Sequence, residues 1–205
     1  MEGSFWKGFV GMCASLAILA VGTPVEAADP TNGGYFQYQL ASSSTQCAGA
    51  WGGTPNNGTQ VIEWGCHAST AAKDQAWYYD TNDCLYQHDE AGDTEYCSIR
   101  NGANFKKCMG TYAGSTNTGT FAVEWDCLGT AHQDQYWHFE TAGNPGDGTY
   151  TIWNLKAQKP LGDAGTTSIE DCSGWWIFGS CTIYLYVPEE GLATPNVWRP
   201  VPATP

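Results

Sequence analysis

Trp64 and Trp125 stand sixty-one residues apart in nearly identical surroundings. Val61-Ile62-Glu63-Trp64-Gly65-Cys66 leads through a polar loop to Asp74-Gln75-Ala76-Trp77, and Phe121-Ala122-Val123-Glu124-Trp125-Asp126-Cys127 leads to Asp134-Gln135-Tyr136-Trp137. An indole offers a flat apolar face with one polar edge. A carboxylate accepts hydrogen bonds, and a glutamine amide both accepts and donates them. The set Trp64, Asp74 and Gln75, with its counterpart Trp125, Asp134 and Gln135, is equipped to hold a molecule by one apolar face and its polar edge. The competing use of the same residues is structural. A loop aspartate bonds readily to its own backbone, a tryptophan covers the neighbouring disulfide, and a buried glutamine satisfies a loop. Trp51 and Tyr112, in the loop-bearing part of each copy, are further aromatic candidates.

Bond-breaking chemistry finds less support. Glycoside hydrolysis needs two carboxyl groups on opposite sides of the scissile bond, whereas a repeat distributes its acids equivalently about an axis. The Gly-x-Ser-x-Gly elbow of serine hydrolases is absent. His67, His88, His132 and His138 lack a neighbouring nucleophile or a His-x-His spacing and read as surface or packing residues. Glu63 and Glu124 immediately precede the two tryptophans, so strand alternation points them the opposite way, onto an expected solvated face. No catalytic residue, cofactor or metal is expected.

Residues 1–27 have the outline of a secretory signal peptide: Lys7, an apolar run from about Phe9 to Val21, and a small-x-small site at Val25-Glu26-Ala27. That run is shorter than the roughly 20 residues that span a bilayer. Of nine cysteines, Cys13 lies in this segment, which leaves Cys47, Cys66, Cys84, Cys97, Cys108, Cys127, Cys172 and Cys181. An even number in an exported chain suggests a closed disulfide set. The repeat favours Cys47 with Cys66 and Cys108 with Cys127; elimination and proximity then join Cys84 to Cys97 and Cys172 to Cys181. The Cys-x-x-Cys pairs of structural zinc sites are missing. A formal charge of -13 repels phosphate backbones and anionic lipid, so neither nucleic acid nor membrane is an expected partner.

The elements that position these residues are short. Apolar stretches of four to six residues, such as 35–40, 60–64, 75–79, 121–125 and 136–139, are bounded by turn formers, Asn57-Gly58 being the strongest. A sustained helical period is missing, so the chain reads as all-β. Cys84-Leu85-Tyr86 and Tyr96-Cys97-Ser98-Ile99 read as a hairpin tied by its own disulfide. A third, degenerate copy is suggested by 150–155, by Lys159-Pro160-Leu161-Gly162, which matches Lys107-Cys108-Met109-Gly110, and by 168–172. It lacks its first cysteine and its Gln-x-Trp. Three copies of about four strands bury a shared core that none buries alone, with Trp77 and Trp137 inside it. The expected organisation is a signal peptide at 1–27, one domain at 28–187 and a proline-rich tail at 188–205, read as exposed with the alternative that Val197-Trp198 packs back onto the body.

Three imperfect copies of a Cys-x-Gly start, a polar loop, a strand ending Trp-x-Cys and a closing Gln-x-Trp resemble the ricin-type β-trefoil lectins, also seen as carbohydrate-binding modules on secreted bacterial glycosidases. The resemblance covers approximately Tyr35 to Phe178. It implies an all-β trefoil with shallow sugar pockets, in which Trp64 and Trp125 cover the apolar sugar face and Asp74 and Asp134 stand beside Gln75 and Gln135. It also implies an acidic residue just after the first cysteine, and here the chain departs, with Gly49, Gly110 and Gly162 at that place and Asp163 one residue late. The expected function is a secreted, non-catalytic carbohydrate-binding protein that binds a glycan or polysaccharide weakly at each pocket and more strongly through several. The alternative is a secreted structural or protein-binding trefoil whose pockets have been lost, with a secreted protein as partner. A hydrolase inhibitor presenting one of its loops is a third reading.

Overall fold

The computed structural model describes residues 28–68, 73–90, 92–144, 146–162, 181–182, 184–185 and 196–204. The expected signal peptide, Asp163, the strand at 168–172, the Cys172 to Cys181 bridge and the stretch 188–195 lie outside the described residues or depend on residues that do.

The turn-bounded apolar runs form strands. The first copy contributes β1 (Tyr35–Leu40), β2 (Ser43–Ala50), β3 (Thr59–Gly65) and the start of β4 (Trp77–Asp89). The second has β5 (Gly92–Asn101), β6 (Asn104–Thr111), β7 (Ala122–Asp126) and β8 (Tyr136–Thr141). The third has β9 (Tyr150–Asn154), β10 (Lys159–Gly162), β11 (Cys181–Thr182), β12 (Tyr184–Leu185) and β13 (Trp198–Ala203). Among the described residues the helical pieces are single 3₁₀ turns, at Trp51–Gly53, Lys73–Gln75, Tyr112–Gly114 and Gln133–Gln135, and none is long and apolar enough to cross a membrane.

Two antiparallel pairings recur. Within a copy the second and third strands form a hairpin, with Cys47 opposite Trp64 in one and Cys108 opposite Trp125 in the next. Between copies, the strand after each closing tryptophan pairs with the first strand of the following copy. Trp77 faces Asn101, Trp137 faces Asn154, and Trp198 faces Leu40, so the last of these pairings brings β13 back onto β1. Disulfides join Cys47 to Cys66, Cys108 to Cys127, and Cys84 to Cys97 across the β4–β5 hairpin.

The core collects equivalent residues from the copies. Trp77, Trp137 and Trp198 are each fully buried beside Tyr38, Ile99, Met109, Ile152 and Leu161. Burying a large side chain of this kind stabilises by about 1.5–3 kcal/mol relative to leaving it exposed. Each indole N–H also finds a backbone acceptor: Trp77 Nε1 donates to Ala48 O at 2.9 Å, Trp137 Nε1 to Met109 O at 2.8 Å, and Trp198 Nε1 to Leu161 O at 3.5 Å.

Trp198 corrects the expected third copy and the expected tail. The sequence from Asn196 to Trp198 takes the place of Gln-x-Trp, and residues 198–203 form the closing strand of the domain, whose body therefore continues past residue 187. Pro200 and Pro202 are compatible with this strand because they alternate along it, which leaves Arg199, Val201 and Ala203 to supply N–H groups. A second correction concerns Glu63 and Glu124, which are 3% and 0% exposed. Alternation does set them opposite Trp64 and Trp125, but the face opposite the tryptophans is turned inward. Asn196 Nδ2 donates to Glu63 Oε1 at 3.0 Å, and Glu124 lies beside Asn101 and Lys107.

Candidate functional site

The polar residues of the Asp-Gln-x-Trp runs first fix local structure. Gln135 Nε2 donates to Asp126 O at 2.9 Å and its Oε1 accepts from Leu128 N at 2.9 Å, which clamps the turn after Cys127. Gln75 does the same after Cys66, donating to Gly65 O at 3.0 Å and accepting from His67 N at 2.8 Å. Behind each run an asparagine from the next strand pair donates to the aspartate carbonyl: Asn101 Nδ2 to Asp74 O at 3.0 Å and Asn154 Nδ2 to Asp134 O at 2.8 Å. The glutamines are buried clamps, and the aspartate side chains are left to point elsewhere.

In the second copy they point into an open cavity of about 410 Å³, lined by residues 110–114 with Val123, Trp125, Leu128, His132, Asp134, Gln135 and Lys156. Trp125 and Tyr112 are 41% and 55% exposed and supply the aromatic walls. Trp125 is backed by the Asn57-Gly58 turn of the first copy: a Cβ on Gly58, whose φ is +85°, would stand 3.5 Å from the ring. Asn57 anchors that turn by donating to Asp126 at 2.8 Å and accepting from its backbone N–H at 2.9 Å. Asp134 Oδ2 lies 3.5 Å from where a Cβ on Gly110 would stand. A carboxylate therefore reaches the seat that glycine leaves empty, delivered from the opposite loop. The tight turn beneath includes Ala113 at φ +53°, a left-handed conformation that costs a non-glycine residue about 1 kcal/mol.

In the first copy the same space is filled from within. A Cβ on Gly49 would lie 2.6 Å from Trp64 Nε1 and 2.7 Å from Gln75 Cγ, so the indole rests directly over the glycine. Trp64 Nε1 and Asp74 Oδ2 are both buried without a hydrogen-bond partner, and His67 meets the indole edge-on with ring centroids 5.0 Å apart. Burial pushes the Asp74 carboxyl above its ordinary value. The structure thus brings Trp125, Asp134 and Gln135 together around an open cavity and packs Trp64, Asp74 and Gln75 against one another. His132, Leu128 and Lys156 belong to the cavity and were not signalled by the repeat. Lys156 comes from the third copy, and a contact between copies leaves no spacing to read.

Glu124 lies on the other side of the same strand. It has no exposed surface, and the Asn101 side chain lies beside it without completing a well-formed hydrogen bond; burial pushes its carboxyl up to about 8, while Asn101 and Lys107 oppose the shift and the Asp74 charge adds to it.

No family model matches the sequence, and no curated protein matches it in sequence. Solved structures do match. A designed three-fold symmetric protein, ThreeFoil, superposes with a TM-score of 0.58 at 17% identity over 82% of this chain and 97% of its own. The chain is a β-trefoil. The trefoil is also similar to an exo-β-1,3-galactanase from Clostridium thermocellum, with a TM-score of 0.59 at 17% identity, over 83% of this chain and 30% of the enzyme. The agglutinin from Abrus precatorius matches with a TM-score of 0.55 at 18% identity, over 84% of this chain and 50% of its own. The trefoil thus corresponds to under a third of the galactanase and half of the agglutinin, and at these identities the likeness concerns the fold.

Proposed function

We propose that this trefoil is a secreted carbohydrate-binding protein whose working pocket is that of the second copy. The observation that carries the reading is the open cavity walled by Trp125 and Tyr112 with Asp134 on its floor. An aromatic face covers the apolar side of a sugar ring, while a carboxylate held by a rigid turn accepts two hydroxyls. Asp134 is the sole carboxylate among the lining residues, which fits binding without hydrolysis, since hydrolysis calls for a pair. The agglutinin among the structural neighbours supports the same reading by its name. Export is proposed from the segment at 1–27 and the disulfides, which persist in oxidising compartments. Because Trp64 lies over Gly49, the first pocket adds nothing to binding at the second until that indole moves.

A glycan array followed by titration with soluble polysaccharides tests the proposal. Specific retention lost in Trp125→Ala, with the thermal transition preserved, supports it; no retention by the oxidised wild-type chain refutes it. The second reading, a protein-binding trefoil whose sugar sites have been lost, is favoured by the Trp64 indole lying over Gly49. Capture of one exported protein together with an empty glycan array would establish it instead.

A further inference from the structure

Lys156 is the cavity residue that the neutral-sugar reading does not use. Its ammonium lies 3.0 Å from where a Cβ on Gly114 would stand, and Asp134 Oδ1 lies 3.5 Å from the same point. Both charges therefore stand over one glycine, within the width of a single sugar ring, yet they are not among the ion pairs formed by the described residues. Lys156 also donates no hydrogen bond to a described residue. Its neighbour Lys159 is engaged differently, donating to Thr116 O at 2.6 Å.

Lys156 is exposed and its charge has no partner among the described residues; Lys73, Lys106 and Arg199 share that condition, but of these four it is Lys156 that lines the cavity. It stands at the cavity, contributed by the third copy and not ion-paired with Asp134, the carboxylate among the described lining residues. Gly114 is part of the arrangement: at φ +64° it accommodates the turn, and any side chain at that position would meet the ammonium.

We propose that the second-copy pocket takes an anionic saccharide, a sugar carrying a carboxylate or a sulfate ester, with Lys156 meeting the anion and Asp134 the hydroxyls on the far side of the ring. This rests on the carbohydrate reading above and adds the charge of the ligand. The ammonium is a compact point charge that serves carboxylate and sulfate alike. Asp134 disfavours any pose that brings the anion to the floor, so the two charges together set the direction of the bound ring.

The test is a titration of the oxidised wild-type chain with matched probes: galactose, galacturonate and galactose 6-sulfate, then glucose and glucuronate, at constant ionic strength. At least one anionic probe is expected to bind about fivefold tighter than its neutral partner, the upper end for an exposed ion pair. The advantage shrinks as salt rises, disappears in Lys156→Met and survives in Lys156→Arg. Galacturonate and galactose 6-sulfate separate the two sources of charge. Equal binding of neutral and anionic partners by wild type overturns the proposal and leaves the carbohydrate reading intact. An anionic advantage that survives in Lys156→Met also overturns it. No binding of any probe, with an empty glycan array, removes both.

Discussion

Glu124→Gln is the substitution whose effect can be worked furthest. The Glu124 carboxyl is fully enclosed, with only the Asn101 side chain opposing the cost of its charge beside Lys107, and burial pushes it up to about 8 from its ordinary 4.5. Since the folded value is raised, the native state favours the protonated form. Stability from this group is complete below about pH 4.5, declines through the interval up to about pH 8, and is gone above it. At about 1.4 kcal/mol per pH unit, the interval amounts to a loss on the order of 4–5 kcal/mol. A glutamine has nearly the same shape and does not ionise. It will bring an unpaired amide, but that cost is the same at every pH. Urea unfolding of both proteins at pH 5 and pH 9 isolates the effect: wild type should lose several kcal/mol more than Glu124→Gln between the two. Asp74, whose carboxyl is raised by burial, contributes a slope of the same sign to both proteins and cancels to first order. Equal losses in the two proteins would show that Glu124 is paired or hydrated in solution, and the argument from burial would be wrong.

Three further outcomes are expected. Trp198→Ala should cost about 3–5 kcal/mol in urea unfolding, as for other buried aromatic truncations, where an exposed tail would give almost nothing. Gly49→Ala should cost about 1–3 kcal/mol by overpacking against Trp64 and Gln75, whereas Gly65→Ala, with nothing within 4 Å of its added methyl, should be near neutral. The same Gly49→Ala change should drive the Trp64 indole outward, which acrylamide quenching of tryptophan fluorescence would register as greater accessibility; unchanged quenching would contradict the filled-pocket account.

The all-β class, the repeat and the inward tryptophans were legible because each leaves a local trace: short turn-bounded apolar runs, recurring cysteines, and Gln75-Ala76-Trp77 beside Gln135-Tyr136-Trp137. The third tryptophan left only a faint trace, the interval from Trp137 to Trp198 that also separates Trp64 from Trp125, without the Gln-x-Trp that marks the other two. It was obscured by the prolines around it, which read as a tail when their strand partner is unknown. Alternation correctly set Glu63 and Glu124 against the tryptophans, but which face meets water depends on what the other copies cover. The same limit applied to the pocket. Trp64 and Trp125 occupy equivalent positions in sequence, yet one lies over its glycine and the other stands open, backed by Gly58 and sharing its cavity with Lys156, both of them supplied by other copies.

The pairing of Tyr35–Leu40 with Trp198–Ala203 sets a condition on how this protein can be made. A chain threaded from its amino end soon supplies β2 and β4 to its first strand, but supplies the third partner, β13, only after Ala203 has emerged. Until then that strand has a bare edge, ready to accept any extended peptide that reaches it first. The long wait also makes ring closure a late event, since pairing across so much intervening chain is slow. A cut placed in the exposed 115–119 loop, with the two ends joined by a short linker, would convert this last contact into an early one.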